Sequence, residues 1–173
     1  MSKITVVNYT GDKEKIKEML PDMFNIIHKN MDYIMPTGNS REEDKIIWTH
    51  YMEEELSNPN KRWLFAFDNN RLCGYMLYTI NNAEKSVNMD EIQLKKENQQ
   101  DGITFCSLFG DFLNNKEMQN IEYLYSYTNK QNLKAQAILN CLGLEVIEEK
   151  KNGFKYKGNR VNASKWFNQK YCN

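Results

Sequence analysis

A β-like run, Glu91-Ile92-Gln93-Leu94, passes through the polar segment Lys95 to Asp101 into Gly102-Ile103-Thr104, where a helical apolar period begins. The first turn of any helix leaves four backbone N–H groups without intrahelical acceptors, with the positive end of the helix dipole behind them. A glycine at that junction lets an anionic ligand approach the backbone closely. Gln99 to Thr104 therefore reads in two ways, as a seat for a phosphate-like anion or as an ordinary strand-to-helix turn, and one glycine does not choose between them. Glu91, taken by itself, reads as a solvated strand carboxylate.

Other chemistry is poorly supplied. Cys73, Cys106, Cys141 and Cys172 lie far apart with no C-x-x-C pair, and His28 and His50 are the only histidines, so the chain lacks the spacing of a metal site and none is expected. No histidine follows His50 to activate Cys141 as a nucleophile. The start, MSKITVVNYTGDKEK, contains no apolar core of signal-peptide length, which implies a reducing cytoplasm with the thiols as core filler.

These residues need a scaffold. At 173 residues, 40% hydrophobic and 27% charged, the chain has the size and composition of one folded domain spanning 1–173. There is no apolar run of membrane-spanning length, so no membrane partner is expected. Lys plus Arg and Asp plus Glu both number 23, and a zero net charge gives no bulk attraction to nucleic acid.

Alternating β-branched residues predict a first strand over Lys3 to Tyr9, closed at Thr10-Gly11-Asp12. Ile16, Met19, Leu20, Met23, Ile26 and Ile27 then recur at helical spacing, with a kink expected at Pro21. Ser40-Arg41-Glu42-Glu43 has capping-box spacing and opens a second helix, whose apolar face is read as Ile46, Ile47, Tyr51 and Leu56. Three strands follow, Trp63 to Phe67, Leu72 to Ile80 and Val87 to Lys95, joined by turns short enough for an antiparallel meander. A helix over Gly102 to Lys116, a tyrosine-rich strand over Ile121 to Thr128, a helix over Leu133 to Leu142 and strands at Leu144 to Ile147 and Phe154 to Tyr156 complete the order βααβββαβαββ. The fold class is α+β with a mixed sheet. The tail Asn162 to Asn173, carrying Trp166, Phe167 and Tyr171, either caps that sheet or contacts a second subunit, a homodimer being the second option.

Gln99-x-x-Gly102-x-Thr104 resembles the Q/R-x-x-G-x-G/A signature of the GCN5-related N-acetyltransferases (GNAT). Upstream, Glu91-Ile92-Gln93-Leu94 resembles that family's fourth strand. Downstream, Thr128-Asn129-Lys130-Gln131-Asn132, then Ala135 and Leu142-Gly143-Leu144, is similar to its V-x-x-x-N-x-x-A and L-G-F segments. The element order is also the family's. The resemblance implies a mostly antiparallel, twisted sheet of six or seven strands with about four helices on both faces.

It also implies a task for each residue. Backbone amides of Gln99, Gln100, Asp101, Gly102, Ile103 and Thr104 would hold the pyrophosphate of acetyl-coenzyme A, with Asn132 bonding the pantetheine arm from the other side. The backbone of Ile92, Gln93 and Leu94 would pair with that arm as an added strand, between strands that splay apart to admit it. The N–H of Leu94 or a neighbour would face the thioester oxygen. Glu91 would be the base for a primary-amine acceptor, a small molecule or a peptide, because free alkylamines are mostly protonated at neutral pH. Strict alternation would turn Asp90 to the opposite face.

Three departures from the family pattern stand out. Asp101 adds a negative charge beside the proposed phosphate seat, which Lys95 and Lys96 offset. Thr104 adds bulk, or alternatively a hydroxyl for a phosphate oxygen. Leu139 occupies the place of the tyrosine that in many members protonates the departing thiolate, and Tyr123, Tyr125 and Tyr127 are the substitutes at hand. Two functions follow: an acetyl-coenzyme A-dependent N-acetyltransferase, or a domain of the same fold that senses an acyl-coenzyme A without turnover.

Overall fold

The computed structural model describes residues 3–100 and 102–171. Its elements are β1 (Ile4–Asn8), α1 (Lys13–Met31), α2 (Arg41–Glu55), β2 (Lys61–Asp68), β3 (Arg71–Asn81), β4 (Ser86–Leu94), α3 (Ile103–Asn114), β5 (Tyr123–Asn129), α4 (Leu133–Cys141), β6 (Glu145–Glu149), β7 (Gly153–Asn159) and α5 (Arg160–Tyr171). Seven strands form one mixed sheet in the order β1-β2-β3-β4-β5-β7-β6. The β4–β5 pair is parallel, whereas β1–β2, β5–β7 and β6–β7 are antiparallel.

Two compact units divide the chain: residues up to Leu77 with Glu91–Phe109, and Tyr78–Asp90 with the residues from Gly110 onward. In the first, local chemistry sets the element ends. Asp12 caps α1 by accepting from the Lys15 amide at 3.1 Å. Ser40 and Glu43 close a reciprocal capping box at the start of α2, the Glu43 carboxylate accepting from Ser40 N at 2.7 Å. That hydrogen bond holds the Glu43 carboxyl below its usual range. Asn69 and Asn70, at φ 47° and 63°, form the two-residue turn between β2 and β3, where asparagine tolerates left-handed backbone better than most residues.

The core of this unit is Ile16, Leu20, Met23 and Ile26 of α1, Met52 of α2, Trp63 and Phe65 of β2, and Leu72, Tyr75 and Leu77 of β3. Each large apolar side chain so buried contributes on the order of 1.5–3 kcal/mol before entropy is counted. Pro21 lies inside α1 without ending it. The inward stripe of α2 is Trp48, Met52 and Leu56, at i, i+4, i+8. Ile46, Ile47 and Tyr51, expected on that stripe, are exposed.

In the second unit, Tyr78 packs edge-on against Phe112 with ring centroids 4.8 Å apart. Its strand face of Leu124, Ser126 and Thr128 is buried. The tail forms a further α-helix, so the element order among the described residues is βααβββαβαββα, with five α-helices where about four are expected. Ala163 and Phe167, one turn apart on α5, are buried, and the Phe167 ring lies 3.5 Å from where a Gly110 Cβ would stand.

Candidate active site

The end of β4 is fixed from β3. Lys95 N donates to Cys73 O at 2.9 Å. In a hairpin ladder the backbone groups alternate in direction, so Gln93 and Lys95 face β3 while Ile92 and Leu94 present their N–H and C=O groups to the other side. Glycine at position 74 lets the strands come this close: a Cβ there would meet Leu94 Cδ2 at 2.6 Å and Gln93 O at 2.9 Å.

The outward carbonyl of Leu94 is already engaged. Asn30, near the C-terminal end of α1, donates to it at 2.8 Å, and the Gln99 side chain donates at 3.0 Å. Gln99 also donates to Asn30 Oδ1 at 3.2 Å, and Asn30 to Gln93 Oε1 at 3.0 Å. This amide ring ties α1, β4 and the 3₁₀ turn Lys96–Asn98 together. The side chains of Gln93 and Gln99 are thus spent on protein contacts. No local sequence signal marks Asn30, which meets its partners across 63 to 69 residues.

Beyond the turn, the Gln99 amide is used as well, donating to Lys96 O at 3.3 Å. Gln100 is exposed, and Asp101 lies outside the described residues. Gly102 O accepts from Cys106 N at 2.9 Å, which makes Gly102 the residue that caps α3. At φ 72° it occupies the left-handed region that favours glycine, and a Cβ built there meets nothing within 4 Å. The Gly102 Cβ position is thus open. Ile103 is half exposed, whereas Thr104 is buried. The Thr104 methyl stands 3.3 Å from the Gly74 Cβ position and its hydroxyl 4.0 Å from Cys73 Sγ. Its side chain packs on β3.

Glu91 is half-buried, and its Oε1 accepts a hydrogen bond from the hydroxyl of Tyr75. Tyr75 is wholly buried, and that burial, reinforced by the Glu91 charge, holds its phenol well above the usual tyrosine range. Asp90 accepts from Thr79 Oγ1 at 2.6 Å and from Asn88.

In the second unit, Asn132 caps α4: its Oδ1 accepts from Ala135 N at 3.2 Å. Leu139 is buried. Tyr123 and Tyr127 are exposed, and Lys157 stands 4.2 Å over the Tyr123 ring. The β4–β5 register runs from Ser86↔Tyr123 to Met89↔Ser126 and stops short of Glu91.

No family model and no curated protein matches the sequence. Solved structures do match the backbone. The PaiA N-acetyltransferase of Thermoplasma acidophilum, in complex with coenzyme A, superposes with a TM-score of 0.70 at 17% identity, covering 91% of this chain and 99% of that one. An acetyltransferase of the GNAT family from Staphylococcus aureus Mu50 gives 0.67 at 18% identity, with the same coverage. The chain has the GNAT acetyltransferase fold. Campylobacter jejuni PseH, in complex with acetyl coenzyme A, shares the GNAT fold at a TM-score of 0.57 and 14% identity, covering 91% and 99%. Among the described residues no helix is long and apolar enough to cross a membrane.

Proposed function

We propose that this GNAT-fold chain is an acetyl-coenzyme A-dependent N-acetyltransferase acting on a primary amine by direct attack. The observation that carries the reading is the continuity, within one unit, of the outward edge of Ile92 and Leu94 with the open first turn of α3 at Gly102. A pantetheine arm matches the edge as an added strand, and a pyrophosphate matches the turn. The solved GNAT neighbours in complex with coenzyme A and acetyl coenzyme A support it.

Acetyl-coenzyme A supplies the thioester carbonyl that is attacked. Within the chain, the first amides of α3 neutralise phosphate charge, and the Leu94 N–H stabilises charge that develops on the acyl oxygen. Glu91 removes the proton from the attacking amine, directly or through water, as the C–N bond forms and the C–S bond breaks. Buried Leu139 supplies no proton to the departing thiolate, and that observation favours the second reading, an acyl-coenzyme A sensor without turnover.

Thermal melting with acetyl-coenzyme A tests both, since a ligand of the native state raises the midpoint. No shift at millimolar ligand eliminates the two together. Thiol release across a panel of primary amines then separates enzyme from sensor. Glu91→Gln should lower turnover about a hundredfold, most severely at acidic pH, while leaving the melting shift in place.

A further inference from the structure

The phenol of Tyr75 has one described acceptor, the Oε1 of Glu91, and sits with no solvent exposure in the packed core formed by α1, α2, β2 and β3. We propose that Tyr75 is a positioning residue for Glu91, fixing the carboxylate's orientation and favouring its charged form; this rests on the reading of Glu91 as the base.

Three features support the assignment. A core tyrosine has little rotamer freedom, so its hydroxyl is a fixed donor rather than a mobile one. A hydrogen bond donated to a carboxylate stabilises the ionised form over the protonated one. Burial keeps the phenol itself protonated, so Tyr75 donates without competing as an acid or base.

The titration needs no knowledge of the acceptor, and thiol release is read with whichever primary amine of the panel supports turnover. In full-length protein labelled with ¹³C at glutamate carboxyl and tyrosine Cζ positions, with Glu91→Gln providing the assignment, the Tyr75 Cζ resonance should follow the midpoint of the Glu91 carboxyl. In Tyr75→Phe that carboxyl midpoint should move to higher pH, and thiol release should fall about tenfold on the acid side and within about twofold on the alkaline side. The wild-type titration keeps the test decisive even if Tyr75→Phe fails to fold. A Cζ resonance that ignores the Glu91 transition, or an unmoved midpoint in Tyr75→Phe, overturns the positioning role and leaves the base reading standing. Wild-type turnover in Glu91→Gln overturns both.

Discussion

Gly74 of β3 and Leu94 of β4 meet so closely that a methyl group on the glycine would stand 2.6 Å from Leu94 Cδ2. The same methyl would lie 2.9 Å from Gln93 O, a backbone atom that cannot swing aside, and 3.3 Å from the Thr104 methyl. Gly74→Ala therefore has to push the end of β4, or the first turn of α3, away from β3. Urea denaturation should show a loss of about 1–3 kcal/mol, and coenzyme A should bind about tenfold more weakly. Unchanged stability and affinity would mean that this contact does not set the position of the β4 edge.

Asn30 joins the α1 end to that edge through three amide contacts, with Gln93, Leu94 and Gln99. Asn30→Ala strips the Leu94 carbonyl of one donor and leaves the Gln93 and Gln99 amides short of a partner. Half-buried amides left unpaired cost about 1–3 kcal/mol, readable as a lowered urea midpoint. Coenzyme A titration should show weaker binding as Leu94 loosens, whereas Asn25→Ala, on the exposed face of α1, should leave the affinity alone.

The buried Tyr75 phenol makes an alkaline prediction. Its ionisation is held well above the usual tyrosine range in the folded chain, so native protein retains a proton that the unfolded chain releases. The stabilisation is therefore fully present below pH about 10 and is lost as pH rises beyond it. Melting temperature measured across this range should fall more steeply for wild type than for Tyr75→Phe. Parallel curves would contradict the assignment of that shift to Tyr75.

The strands, the helices α1 to α4 and the capping box were legible in the sequence because they rest on local periodicity and near-neighbour hydrogen bonds. Gly102 was legible for the same reason: a glycine closing a strand-to-helix turn carries its own conformational signal. The inward stripe of α2 was misread because three exposed apolar residues mimic a buried face, while the true stripe at 48, 52 and 56 is shorter. Helix α5 escaped because, among its described residues, only Ala163 and Phe167 are buried, in a run rich in asparagine, lysine and glutamine. The Asn30 amide ring and the Tyr75–Glu91 bond depend on contacts distant in sequence, which periodicity does not encode. The packing of the Thr104 side chain on β3 was not legible because spacing gives no account of the strand behind it.

The most direct test of the central claim is a crystal structure of the full chain with coenzyme A. The account predicts pyrophosphate oxygens on the first α3 amides next to Gly102, with the pantetheine arm bonded to Ile92 and to the Leu94 N–H. A nucleotide bound elsewhere, or an arm that never touches the β4 edge, would contradict it.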